Sequence, residues 1–254
     1  MLKIYATRSS LAILISAIAL STSVRAETKH YIAPYTSTKK SLETATPEMV
    51  LQNLMAGNTR FINKEVIHRN LSNQAIVTSL KGQFPSALVL SCMDSRGAPE
   101  IILDQGIGDI FTVRLAGNVI DSDQLAGIEY ATKIVGSKLI IIMGHTQCGA
   151  VSGACQNVKL GNLTQLLDKI QPAVSDIRSQ QDGKLDCADS KTVDLIAKKN
   201  VLNMMRLVTE GSPIVMDLVA NKQVMIVGAM QNINSGKVTF FDGTGKEITA
   251  KNQK

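Results

Sequence analysis

The sequence predicts an α/β fold: an open, mainly parallel sheet with helices on both faces, an edge strand near the C-terminus and a helix before the first strand. Three observations carry this. Short runs that are apolar at nearly every position occur at Ala87–Leu90, Ile110–Leu115, Leu139–Met143 and Val224–Val227. Helical stretches separate the later runs, and polar, chemically rich clusters follow the first and the third. Continuous apolar runs suit strands covered on both faces, as parallel strands are, and their alternation with helices is the pattern of a doubly wound sheet.

Taken in order, Met1–Arg8 is basic at Lys3 and Arg8, Leu11–Leu20 is apolar except for Ser16, and Val24-Arg25-Ala26 ends in a small residue. A basic start, a short apolar stretch and a cleavable end describe a secretory signal peptide over 1–26. A ten-residue apolar stretch is too short to cross a bilayer, and no cysteine stands just after the expected cut, so no membrane anchor is expected. The mature chain is read as 27–254, a single domain long enough to bury one substantial core. Thr28–Ser41 is polar and reads as an extended arm. Thr46-Pro47-Glu48 opens a helix, with Thr46 as cap and proline next inside, and Val50, Leu51, Leu54 and Met55 follow at helical spacing. Beyond the first two strands, Asp123–Val135, Leu163–Ile177 and Asp194–Val208 read as helices. After Asn234-Ser235-Gly236, Lys237–Phe241 reads as the hairpin-type edge strand.

Composition excludes some function classes. Lys3, Arg8 and Arg25 account for three of the six net positive charges, so the mature body sits near +3. That balance, with no tryptophan and only four tyrosines, offers no surface for nucleic acid. Of the four cysteines, Cys92 and Cys148 sit among polar, turn-forming residues at the ends of apolar runs. Cys155 and Cys187 have no such company. They are expected as buried small apolar residues, a mutual disulfide being the less favoured alternative.

Ligands of open α/β sheets gather at the carboxyl ends of the strands. Cys92-Met93-Asp94-Ser95-Arg96 follows the first strand there, and Gly144-His145-Thr146-Gln147-Cys148-Gly149 follows the third. If those strands are neighbours, both clusters face one crevice. Two thiolates and an imidazole (Cys92, Cys148 and His145) suit zinc, and three protein ligands leave the open fourth position of a catalytic site. Asp94 is placed to bind the metal or to accept a hydrogen bond from a metal-bound hydroxide, with Arg96 close enough to hold it.

These residues carry a resemblance to the β-class carbonic anhydrases. C-x-D-S-R at 92–96 and H-x-x-C-G at 145–149 resemble the family's zinc motifs. Lys81–Pro85, Asp104–Phe111, Val113–Asn118, Gly127–Ala131, Val227–Met230 and Gly236–Phe241 resemble its other segments in the family's order. The resemblance implies one Zn2+ per chain and zinc-hydroxide-dependent, reversible hydration of carbon dioxide to bicarbonate and a proton. Asp94 would orient the hydroxide and Arg96 would keep Asp94 off the metal. It further implies that Gln83, Phe111 and Tyr130 line the substrate cavity, although Phe111 and Tyr130 read from their own surroundings as core. A homodimer or dimer-based oligomer is implied, with the cavity formed between subunits. Members with a regulatory bicarbonate site carry tryptophan three residues before the first zinc cysteine; Val89 stands there, so the open arrangement of the site is expected. Ala150 replaces a glycine common in relatives and is expected to alter fit only. Neither His30 nor His68 has a context that makes it a proton shuttle. Two rivals share parts of the pattern: hydrolases of carbon disulfide or carbonyl sulfide on the same scaffold, and a redox or metal-storage module with a Cys92–Cys148 disulfide. With the signal segment, the expected location is the periplasm.

Overall fold

The computed structural model describes residues 36–249. The expected signal segment and the arm up to residue 35 lie outside the described residues. In chain order the elements are α1 (Lys39–Thr44), α2 (Pro47–Ile62), α3 (Leu71–Lys81), β1 (Ala87–Ser91), α4 (Pro99–Ile102), β2 (Ile110–Arg114), α5 (Ser122–Glu129), β3 (Leu139–His145), α6 (Gly149–Cys155), α7 (Gly161–Asp168), α8 (Gln171–Gln180), α9 (Ser190–Gly211), α10 (Pro213–Ala220), β4 (Met225–Gln231) and β5 (Val238–Phe241). A 3₁₀ turn at Ala116–Asn118 follows β2, and a π-helical turn at Tyr130–Val135 continues α5.

The sheet runs β2-β1-β3-β4-β5, with β1, β2, β3 and β4 parallel and β5 antiparallel to β4. This is the predicted architecture, including the C-terminal edge strand. Alternation explains why the central strands read as uninterrupted apolar runs. Leu88, Leu90, Ile140 and Ile142 belong to a core shared with Ile170 and Val174 near α8 and with Val201 of α9. Ala87, Val89, Leu139 and Ile141 face the other way, into a core with Val50, Leu51 and Leu54 of α2 and Ile102 of α4. Successive side chains point to opposite faces, and both faces are covered.

The helix starts follow their local chemistry. Thr46 accepts the Met49 N–H at 3.2 Å with Pro47 as the first helical residue, as its sequence position predicts. The arm is corrected at its end: α1 begins at Lys39, because Thr38 and Ser41 form a reciprocal capping box. The single helix expected over Leu163–Ile177 is two, α7 and α8, broken at Lys169 and Ile170. Pro172 has no N–H to bond back into a preceding turn, so it starts α8 instead of extending α7.

Candidate metal centre

Because β1 and β3 are hydrogen-bonded neighbours, the loops leaving their carboxyl ends lie side by side. His145 ends β3, Cys148 immediately precedes α6, and Cys92 follows β1. The ligand atoms of Cys92, His145 and Cys148 all lie within 4.8 Å of one another, and all three residues are buried. Both cysteines are free, with their sulfurs 4.0 Å apart. A tetrahedral ion with metal–sulfur bonds of about 2.3 Å separates two sulfurs by roughly 3.8 Å, so the pair is set at ligating distance.

Histidine geometry points the same way. Nδ1 of His145 lies 2.9 Å from the Thr146 carbonyl oxygen, which fixes the ring. Nε2 is buried and has no hydrogen-bond partner. A buried nitrogen left unbonded is costly unless something else takes its lone pair. The donor set therefore fits a soft-to-borderline cation such as zinc.

The thiols are electrostatically distinct. Cys92 is held down to about 4, chiefly by the hydrogen bond from Cys148, with His145 and the backbone N–H groups of Asp94 and Gly117 assisting against burial. Cys148 is pushed up by that same Cys92 partner and by burial, so the two share one proton, with Cys92 as the thiolate. Burial pulls His145 down, but the negative charge of the neighbouring Cys92 thiolate outweighs it and the net shift is upward. Gly117 reaches Cys92 only because it adopts a left-handed φ of 66° where an added Cβ would sit 2.6 Å from Ile170 Cδ1.

Asp94 and Arg96 form a bidentate pair beside this cluster. Arg96 donates from Nε to Oδ1 at 3.0 Å and from Nη2 to Oδ2 at 2.8 Å, and its backbone N–H also reaches Oδ1. The guanidinium hydrogen bonds, opposed only by modest burial, hold the Asp94 carboxyl well below the usual carboxylate range. The aspartate is thus ionised and turned to its arginine.

Several residues that organise the centre did not stand out in the sequence. Arg114, at the end of β2, donates to the carbonyl oxygens of Cys92 (3.3 Å) and Asp94 (2.6 Å) and so fixes the backbone of the first cluster. Its signal was present as a charged residue closing an apolar strand. Gln231, at the end of β4, donates to the Arg96 carbonyl oxygen at 3.3 Å. Cys155 and Cys187 are corrected: they are joined in a disulfide across 32 residues, because the end of α6 packs beside the segment that leads into α9.

Of the expected cavity residues, Phe111 packs against the core that includes Cys92 and Cys148. Phe111 and Tyr130 make an edge-to-face pair with ring centroids 6.2 Å apart, and Tyr130 is 53% exposed. Gln83 precedes β1, at the opposite end of the strand from Cys92. Five strand residues span roughly 16 Å, so within one chain Gln83 is not brought to the metal cluster.

Comparison with known proteins agrees with this geometry. The family profile described as carbonic anhydrase matches residues 87–238, which contain all three cluster residues and the Asp94–Arg96 pair. Carbonic anhydrase 2 of Mycobacterium tuberculosis is 32% identical over 76% of this chain and 91% of that protein. The carbonic anhydrase of Mycolicibacterium smegmatis is 30% identical over 76% of this chain and 92% of its own length. The β-carbonic anhydrase CafA of Aspergillus fumigatus superposes with a TM-score of 0.62 at 28% identity, covering 68% of this chain and 82% of that one. The chain belongs to the carbonic anhydrase family, in its β class, a family of lyases.

Proposed function

We propose that this chain catalyses the reversible hydration of carbon dioxide to bicarbonate and a proton, with one Zn2+ held by Cys92, His145 and Cys148. The convergence of two free thiols and an unpartnered imidazole nitrogen in one buried cluster carries the reading. When bound, the ion acts as a Lewis acid and makes hydroxide available near neutral pH.

The chain's own residues do the rest. Asp94, ionised by its arginine, accepts a hydrogen bond from the attacking oxygen and aims its lone pair at the carbon of the substrate. Arg96 occupies both Asp94 oxygens and keeps the carboxylate from turning onto the metal. Gln83 donates to a substrate oxygen, while Phe111 and Tyr130 give the apolar wall that a small linear molecule needs. Since Gln83 lies away from its own chain's cluster, a second copy supplies it, and the active unit is a homodimer or a dimer-based oligomer. Signal peptide 1–26 directs the mature domain, 27–254, to the periplasm. The Cys155–Cys187 disulfide supports an oxidising compartment.

Stopped-flow carbon dioxide hydration on the purified mature chain, with zinc quantified, tests this. Rapid hydration at about one zinc per chain is expected, and Asp94→Ala should lower turnover roughly a hundredfold, the scale of a lost proton-orienting group. A zinc-loaded protein that leaves carbon dioxide untouched would overturn the substrate. A folded protein that takes up no zinc would overturn the ligand set.

A further inference from the structure

The turn that carries two of the three cluster residues is strained and is gripped from outside. Gln147, between His145 and Cys148, has a left-handed φ of 57°, a conformation that a glutamine rarely adopts without support. The first half of the turn is tied to the sheet: Thr146 donates its N–H to the Gln231 carbonyl oxygen at 2.9 Å, and its Oγ1 accepts the Ile233 N–H at 3.0 Å. The strained half is tied to a helix. Asp194 of α9 accepts the Gln147 backbone N–H on Oδ1 at 2.7 Å.

Asp194 stands past the first turn of α9, where aspartate favours the helix little and alanine would favour it more. Helix formation therefore does not account for it; its bond to Gln147 does. The start of α9 is fixed in turn. Asp189 caps it, accepting the Lys191 and Thr192 N–H groups at 3.2 and 3.0 Å. Two residues before that cap, Cys187 is joined to Cys155 at the end of α6, the helix that begins directly after Cys148. The path from Cys148 along α6, through the disulfide and the capped start of α9, and from Asp194 back to Gln147 closes a ring around the turn.

We propose that Asp194 is a positioning residue that locks the His145–Cys148 turn in its ligating form, and that the Cys155–Cys187 disulfide sets Asp194 in place. Asp194 touches neither the metal position nor substrate; it acts through the backbone of Gln147. Its loss lets the turn relax from the left-handed conformation, moving His145 and Cys148 relative to Cys92. The inference rests on the zinc reading above, and nothing in the bond requires charge on Asp194, because an amide oxygen accepts the same N–H.

The test is zinc retention. Wild-type chain, Asp194→Ala, Asp194→Asn and the double variant Cys155→Ser/Cys187→Ser are loaded with zinc and challenged with a chromogenic chelator, and the Tm of each zinc-free form is recorded. Asp194→Ala should release zinc about tenfold or more faster than wild type, the scale seen when groups that orient metal ligands are lost. Its zinc-free Tm should stay near wild type, and Asp194→Asn should retain zinc like wild type. The double variant should release faster too, and its effect should add less than fully to that of Asp194→Ala, since both open the same ring. Release from Asp194→Ala at the wild-type rate would overturn the positioning role while leaving the zinc reading intact. A wild-type chain that takes up no zinc would instead overturn the zinc reading, and this inference with it.

Discussion

Asp104 shows how much one residue can organise outside the centre. Its carboxylate is only 3% exposed and receives Arg60 on one oxygen and Arg69 on the other, while the Ile67 N–H reaches it as well. Arg69 also donates to the Asp104 carbonyl oxygen at 2.6 Å. Asp104→Ala leaves two guanidinium groups without their anion, one of them nearly buried, and removing one partner of such a group costs about 3–5 kcal/mol. Denaturant unfolding should show that loss as a lower midpoint with an unchanged slope. A midpoint within experimental scatter of wild type would mean that the arginines find water instead. Asp104 belongs to the run Asp104–Phe111 that carries the family resemblance, yet its partners were not legible: Arg60 and Arg69 lie 44 and 35 residues upstream. The same holds for Asp194 and Gln147, 47 residues apart, and for the disulfide. By contrast, Cys92, Asp94, Arg96, His145 and Cys148 were legible because each cluster is local, needing only the neighbouring of β1 and β3 to join them.

At the scale of elements, strands were more legible than helix limits. The four apolar runs map onto β1 to β4 because burial on both faces leaves a continuous signature. Helices that expose one side leave a weaker one: α3 and α10 carry apolar residues that stay exposed, such as Leu80 and Met216, and escape a reading tuned to core periodicity. The helix expected over Asp123–Val135 begins one residue early and finishes as a π-helical turn, since hydrophobic spacing does not reveal how the backbone ladder closes. Packing between elements can hinge on one missing atom. A Cβ added at Gly57 of α2 would sit 1.9 Å from the Leu103 carbonyl oxygen, and backbone cannot move aside as a flexible side chain can. Gly57→Ala should therefore destabilise the fold despite alanine's better helix propensity. About 1–3 kcal/mol is expected, a Tm decrease of several degrees for a chain of this size. A Tm at or above wild type would show that α2 shifts off α4 without penalty.

At the scale of the whole molecule, the described residues present an exposed apolar face. Val66, Leu71, Ile101 and Ile107 are all exposed by more than a third, and they line one hollow of about 640 Å³ together with Ile110 of β2. β2 is also an edge of the described sheet, and its Phe111 pairs with the exposed Tyr130. An apolar hollow beside an open sheet edge is what an interface buries. Gln83 and the metal cluster lie at opposite ends of β1, so a second copy docked on this side would complete each site with a residue of the other. Ile107 touches no part of the proposed chemistry, which makes Ile107→Asp the discriminating variant: a carboxylate there must be desolvated if a partner covers it. Sedimentation analysis should find the wild type as a dimer or larger and Ile107→Asp shifted toward monomer, with hydration falling in step while bound zinc stays near one per chain. A wild-type monomer with full turnover would overturn the shared site, because Gln83 could then serve only a cluster roughly a strand's length away.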